Sequence, residues 1–226
     1  MTPDRGRPLS GRVVLVAGVA RQLAASEARL FAAAGASVVV GGPQNSHGER
    51  LVDELRHSGA DATYAKLDTA AESDWREIAR MTADAHGRLD VLVINPADPD
   101  RRGVFVAGDE RGLRVVDIDQ WAPIIGLTAC APLMGRHGGG LAVTVSRAVD
   151  LNGYDAAWHA ASWCSLLSAA RAAALEAACH GTRVAVVTEC SRAGDRDTDE
   201  TAREVLRLVV EGVPRPAGGR PGPDSA

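Results

Sequence analysis

The sequence predicts an α/β protein whose single domain is built on a doubly wound parallel sheet. Short β-branched runs alternate with helical patterns along the chain, which is typical of parallel strands connected by helices. These runs lack polar alternation, as expected of strands buried on both faces. A length of 226 residues, 46% of them hydrophobic, supplies a core for one such domain. We expect the domain to span 11–213, between a flexible N-terminus, 1–10, and a disordered tail rich in Pro and Gly, 214–226.

Local signals place the elements in chain order. Residues 12–17 (RVVLVA) form the first predicted strand, and the helical pattern of 21–34 ends at Gly35. Ser46 is a suitable N-cap for the second helix, with Glu49 at the capping-box position. The other predicted strands cover residues 37–40, 62–67, 89–94, 141–145 and 183–188. The other predicted helices cover residues 46–57, 72–86, 119–134, 154–180 and 198–211.

Composition and charge exclude several function classes. A net charge of −4 argues against a nucleic-acid partner, which would require a concentrated basic surface. No apolar run approaches the roughly 20 residues of a membrane span, and residues 1–10 lack the apolar core of a signal peptide. The four cysteines show no CxxC spacing and the six histidines no HxxxH spacing, so we expect no metal site. The sequence therefore predicts a cytoplasmic protein with reduced thiols and with neither a nucleic-acid nor a membrane partner.

Several framework motifs, in order and spacing, resemble the short-chain dehydrogenase/reductase family over residues 11–212. They read GRVVLVAG, ARLFAAAGASVVV, KLD, GRLDVLV and AAALEAACHGTRVAVV. The resemblance implies a Rossmann-like fold, an NAD(P) cofactor and a Tyr-x-x-x-Lys catalytic pair. After Glu211 no apolar run follows, so we expect six strands with the last family strand missing. The segment 189–197 is also shorter than the substrate-covering segment that the family has there.

The glycine-rich turn of the family corresponds to residues 17–24. Its glycines let the backbone approach a pyrophosphate at a helix N-terminus. Only Gly18 remains of three, because Gln22 and Ala24 occupy the other positions, and the Gln22 side chain would project toward the phosphates. Arg21 could select an NADP phosphate or could be a solvated arginine at the helix start. The whole segment also fits an ordinary strand-turn-helix connection.

The other cofactor motifs are partial. The second strand runs into Val-Gly-Gly-Pro over 40–43, without the acidic residue that would hold an adenosine ribose. Asp68 matches the adenine-contacting aspartate of the family, although it also fits a turn residue. Of Asn-Asn-Ala-Gly only Asn95 remains, since Pro96 removes a backbone donor and Ala97 adds a Cβ. The resemblance therefore leaves Gly18, Arg21, Asp68 and Asn95 as vestigial cofactor residues.

The catalytic positions have also changed. The Tyr and Lys of the family fall on His159 and Trp163, its serine falls on Ser146 or Arg147, and its helix asparagine falls on Thr128. Trp163 has one donor and no charge, so it cannot do the work of the lysine. His159 could still act with Ser146 as a general acid or base, because its reference pKa is about 6.5. It also fits a polar residue at a helix start.

Three functions are consistent with this pattern. The first is a non-catalytic subunit that forms a homo- or hetero-oligomer with an active dehydrogenase-like protein. Helices 119–134 and 154–180 would form its interface, because their small residues permit close approach, and Ala170 is expected at the contact. The second is a redox-neutral dehydratase, isomerase or cyclase of specialised metabolism that uses His159. The third is an atypical NAD(P)-dependent oxidoreductase, the only one of the three for which we expect a cofactor, NADP.

Overall fold

The computed structural model describes residues 7–18, 22–43, 46–95, 121–147, 156–189 and 198–213. The strands are β1 Val13–Ala17, β2 Ser37–Gly42, β3 Ala62–Lys66, β4 Val91–Ile94, β5 Leu141–Arg147 and β6 Arg183–Glu189. The helices are α1 Gln22–Ala33, α2 Ser46–His57, α3 Glu72–His86, α4 Ala122–Gly135, α5 Ala156–Ala177 and α6 Thr198–Gly212. Every predicted element that lies in the described ranges is present, which confirms the predicted fold.

All six strands are parallel and lie in one sheet of order β3-β2-β1-β4-β5-β6. The chain leaves the central strand β1 first toward β2 and later, on its other side, toward β4. Such a reversal opens a crevice at the carboxyl ends of the central strands, where ligands of open α/β sheets bind. Within the described residues β6 is the last strand on its side of the sheet, in agreement with the six strands predicted.

Two apolar clusters fill the two faces of the sheet. One joins α1, α2 and α6 to side chains such as Val14, Val16 and Phe31. The other joins α3, α4 and part of α5 to side chains such as Leu15 and Trp75. Strand side chains point alternately to these two clusters, and both sides are apolar, so the central strands are continuous hydrophobic runs.

A buried ion pair closes the amino edge of the sheet. Arg12 Nη1 donates to Asp90 Oδ1 at 2.6 Å, and the Val13 amide donates to Asp90 Oδ2 at 3.0 Å. Arg88 adds bonds of 2.9 Å from Nε and 2.6 Å from Nη2. Burial raises the pKa of the Asp90 carboxyl, and the bonds from Arg88, Val13 and Arg12 lower it by more in total, so its net pKa lies below the ordinary range.

The element boundaries differ from the predicted ones mainly at the ends. Strands β2 and β5 extend two residues further, to Gly42 and Arg147, because parallel pairing continues beyond the β-branched core. The predicted starts of α4 at residue 119 and of α5 at residue 154 lie outside the described residues, and α5 ends at residue 177 before a 3-10 turn over 178–180. Leu9 is buried, with its amide bonded to Ala34 O at 2.9 Å. Packed structure therefore begins ahead of the predicted boundary at residue 11.

Candidate cofactor and catalytic site

Gly18 follows β1 at the carboxyl edge of the sheet, in the crevice between the two halves. Its φ of +88° is in the left-handed region, and its amide donates to Gly41 O at 2.9 Å. A Cβ at this position would lie 1.8 Å from the carbonyl oxygen of Asn95. The close approach of two backbones therefore requires glycine here, so the fold alone accounts for the one family glycine that remains.

Asn95, directly after β4, is fully buried beside a carboxylate that the sequence analysis did not single out. Its Nδ2 donates to Oε2 of Glu27 at 2.6 Å, and both residues have 0% exposure. The Oδ1 of Asn95 accepts no hydrogen bond from the residues that the structure describes. Glu27 lies in the apolar stripe of α1, three residues after Ala24 and four before Phe31. An acid in such a stripe is the signal that could have predicted it, because buried carboxylates require a partner.

At the start of α1, Gln22 and Ala24, which are predicted to replace two family glycines, differ in their exposure to solvent. Ala24 is fully buried, so its methyl group packs into the core rather than into the crevice. Gln22 is the first residue of α1 and is exposed, on the part of the helix where a pyrophosphate would meet the free amides. Arg21 lies outside the described residues, as do Pro96 and Ala97.

A tyrosine contacts the backbone where β2 ends, at the position of the ribose acid in the family. The Tyr64 hydroxyl lies 3.0 Å from Gly42 O and 2.5 Å from Pro43 O, and its single proton can serve one of them at a time. Asp68, after β3, is exposed, and its Oδ1 accepts the Ala70 amide at 3.0 Å. Asp68 therefore acts as a turn residue, whether or not it also contacts a ligand.

His159 and Trp163, the residues predicted to replace the family catalytic pair, both lie in helix α5. The side chain of His159 lies outside the described part of the chain. Trp163 is half-buried, and its Nε1 is enclosed without an acceptor among the described residues. Ser146 lies near the carboxyl end of β5, paired with Thr188 of β6, and is partly exposed. Arg147 ends β5, and its side chain is not described.

Thr128 does not point into a site. It is exposed on α4, and its hydroxyl donates to Ile124 O at 2.9 Å, a bond within the helix. Trp121, just before α4, is 53% exposed and so does not line an enclosed aromatic pocket. These positions give the helix an uncharged outer surface rather than a proton-transfer group.

A shallow apolar cleft lies between α4, α5 and the sheet. Among the described residues that line it, only Thr144 is polar. The cleft is lined by Ile94, Pro123, Ile124, Leu127, Ala142, Thr144, Leu166, Ala169, Ala170, Ala173 and Val184. Ala170 is half-buried and lines this cleft, on the side of α5 toward α4 and the sheet.

No described residues form a group of three or more His, Cys, Asp or Glu side chains that could hold a metal ion. Across the same residues, the helices are too short or too polar to cross a bilayer. Cys130 is fully buried in α4, and burial raises the pKa of its thiol to about 12. Cys164 and Cys179 are free and exposed.

Comparison with known proteins identifies the class. The short chain dehydrogenase family model matches residues 12–202, so the chain belongs to this family. It is 28% identical over 225 residues to 2,5-dichloro-2,5-cyclohexadiene-1,4-diol dehydrogenase LinX of Sphingobium indicum, covering 94% of this chain and 85% of that protein. It is 31% identical over 160 residues to trans-4-hydroxycyclohexanecarboxylate dehydrogenase of Sinomonas cyclohexanicum, covering 67% of this chain and 61% of that one.

Solved structures agree with this assignment. A short chain dehydrogenase from Mycobacterium smegmatis matches with a TM-score of 0.79 at 25% identity, over 89% of this chain and 86% of that one. A metagenomic short-chain oxidoreductase in complex with NADP matches with a TM-score of 0.79 at 26% identity, over 90% and 92% of the two chains. The relatives are named as dehydrogenases, and the protein is a member of an oxidoreductase family.

Proposed function

We propose that this protein is a member of the family without NAD(P)-dependent redox activity, and that it acts as a non-catalytic partner subunit of an active dehydrogenase-like protein in the cytoplasm. The observation that carries the proposal is Trp163, which stands where the family has its lysine. Its enclosed indole N–H has no acceptor within the described residues, and indole can neither hold a positive charge nor lower the pKa of a neighbouring acid.

Two further features do not fit a dinucleotide. Gln22 is exposed at the helix start where the family brings bare backbone to the pyrophosphate. At the end of β2, Gly41, Gly42 and Pro43 offer no carboxylate to hold a ribose, and the carbonyl oxygens of Gly42 and Pro43 lie within hydrogen-bond distance of the Tyr64 hydroxyl. The retained Gly18 and Asn95 do not offset these features, because both have packing partners in the protein itself.

The cofactor part of the proposal predicts weak binding. Dissociation constants for NAD+, NADH, NADP+ and NADPH should all be in the millimolar range or weaker, which corresponds to a binding free energy of about −4 kcal/mol or less favourable. Calorimetric titration of the full chain measures them. The matched variant Trp163→Lys together with His159→Tyr restores the family pair and shows whether α5 or the Gln22 turn limits binding. A micromolar constant for the unmodified chain would contradict the proposal.

The subunit part is supported by the outer surfaces of α4 and α5. The 14 residues of α4 include no charged side chain, and α5 has two among 22, Arg171 and Glu176. Trp121 and Leu175, 53% and 81% exposed, add apolar area. Uncharged helix faces of this kind resemble the cores of subunit interfaces, which are depleted of charge. Copurification from the natural host, followed by native mass spectrometry, would identify the second subunit.

A redox-neutral enzyme is the second candidate, and the placement of Ser146 favours it. Ser146 is partly exposed near the carboxyl end of β5. His159 lies in the first turn of α5, the helix that follows β5 in the chain. Positioned proton transfer contributes about 100- to 10,000-fold to a rate. Turnover of the reconstituted complex should therefore stay within a few-fold in His159→Ala if the protein is a non-catalytic subunit. A hundredfold loss with an unchanged melting temperature would support the enzyme instead.

A further inference from the structure

Strand β6, at the edge of the sheet, is more exposed than the central strands. Central strands such as β1 have side chains exposed by 4% or less, whereas Val184, Ala185, Val186 and Thr188 of β6 are all partly exposed. The helices on both faces therefore leave this strand partly uncovered. No described segment pairs with it on the side away from β5. Among the described residues, the backbone of this edge is therefore available to a second strand.

The backbone of β6 presents its unpaired groups at alternate residues. The Arg183 amide donates to Gly140 O at 2.9 Å, so residue 183 faces β5. Because a strand alternates, residues 185, 187 and 189 face β5 as well. Val184, Val186 and Thr188 therefore turn their amides and carbonyls toward the outer edge.

The strand lacks the features that normally protect an edge. Its sequence, RVAVVTE, contains no Pro, Gly or Lys, and its pairing with β5 runs over seven consecutive residues without a bulge. Charges stand only at its two ends, Arg183 and Glu189. Natural edge strands usually carry an inward charge, a proline or a bulge to prevent pairing with another chain. Here the five central residues are uncharged and mostly β-branched.

We propose that β6 pairs in antiparallel orientation with β6 of a second copy of this chain, about a two-fold axis through Val186. In this register Val186 faces its own counterpart, and Val184 faces Thr188 of the other copy. Residue 183 of each copy stands opposite residue 189 of the other, an arginine opposite a glutamate at both ends. The three outward-facing residues of each strand supply about six backbone hydrogen bonds, since each hydrogen-bonded pair exchanges two.

The charges of Arg183 and Glu189, at the two ends of β6, favour a second copy of β6 as the partner strand. Opposite charges directly across an antiparallel pair are favourable and like charges unfavourable. A register centred on residue 186 is the one that brings Arg183 and Glu189 together, and residue 186 is also one of the residues whose backbone groups point outward. The strand is therefore complementary to itself in both charge and hydrogen bonding. The result would be one continuous sheet of twelve strands across the two copies.

Val186→Pro tests the hydrogen bonds. It removes an amide that faces the outer edge, and proline is tolerated in edge strands at such positions. Light scattering over a concentration series should give half the assembly mass of the unmodified protein, with an unchanged circular dichroism spectrum and melting temperature. If the α4–α5 surface also associates, the assembly still halves, because that surface is not altered. An unmodified protein that lacks this association, or a variant of the same mass, would overturn the proposal.

Charge reversal tests the register and the identity of the partner. Arg183→Glu alone and Glu189→Arg alone place like charges opposite each other and should each weaken the association by at least about tenfold, or about 1.4 kcal/mol. Combining both changes in one chain, or mixing the two single variants, restores opposite pairs and should restore the assembly. If the single variants dissociate and neither combination recovers it, β6 contacts a different protein or a different register, and the proposal is wrong.

Discussion

Gly18→Ala distinguishes a glycine kept for the fold from one kept for a ligand. If Gly18 were a remnant of a phosphate-binding turn, alanine would cost little in a protein that binds no dinucleotide. The structure predicts a large cost, because the new Cβ would lie 1.8 Å from the Asn95 carbonyl oxygen at a φ of +88°. The Asn95 oxygen belongs to the backbone and the new Cβ is bonded directly to it in residue 18, so the clash cannot be relieved by moving a flexible side chain.

The magnitude has two parts that a control can separate. A non-glycine residue in the left-handed region costs about 1–2 kcal/mol. Forcing an added methyl group into a packed position costs about 1–3 kcal/mol more. Gly59, in the turn after α2, has a φ of +85° and nothing within 4 Å of a built Cβ, so Gly59→Ala should show the first part alone. The smaller entropy of the unfolded chain, which opposes both losses, is common to the two variants.

Chemical denaturation and thermal melting of the two variants provide the measurement. Gly18→Ala should lose about 2–5 kcal/mol of unfolding free energy in total, from the two costs together. Since 1 kcal/mol shifts the melting temperature of a domain of this size by roughly 2–4 °C, a fall of about 4–20 °C is expected. Equal losses in Gly18→Ala and Gly59→Ala would refute the reasoning, because the close approach to Asn95 would then have no energetic effect.

Three further predictions concern stability, thiol reactivity and association. The lowered pKa of Asp90 contributes stability that is complete above its unfolded pKa, about 3.9, and is lost as pH falls through the folded value. The free energy of unfolding, measured from pH 7 to pH 2, should therefore fall more steeply with acid in the unmodified protein than in Asp90→Asn. With its pKa at about 12, Cys130 should resist iodoacetamide at pH 8 while Cys164 reacts, as peptide mass spectrometry before and after unfolding will show. Ala172→Glu, on the exposed face of α5, should reduce any helix-mediated association without a change in melting temperature, whereas Ala170→Arg, in the cleft beside α4, should also lower the melting temperature.

The fold was predictable because its signals are local and repeated. Six apolar runs, each followed by a helical pattern, leave few topologies open, since parallel strands require crossover helices. Boundaries were less predictable where tertiary pairing decides them, as at Gly42 and Arg147, which extend their strands because a neighbour is present.

The site was only partly predictable, because several of its contacts join residues far apart in the chain. Glu27 and Asn95 are separated by 68 positions, and no spacing rule connects them. Tyr64 contacts the end of β2 from the neighbouring strand, so its role depends on strand order. The side of α5 that packs against the sheet was not predictable, because an alanine-rich helix has little hydrophobic asymmetry to indicate it. The prediction that Trp163 stands at the family's lysine position, by contrast, needed only the spacing of the motif.

The buried ion pair of Arg12, Arg88 and Asp90 has a consequence for how freely this chain can change. It lies at the amino edge of the sheet, and the crevice lies at the carboxyl edge, a strand of about 5 residues or roughly 17 Å away. Substitutions at that distance are close to additive in their effect on stability. Residues that face the crevice could therefore change without loosening this ion pair. The amino edge, held by this ion pair, would keep the scaffold intact while residues at the carboxyl edge change.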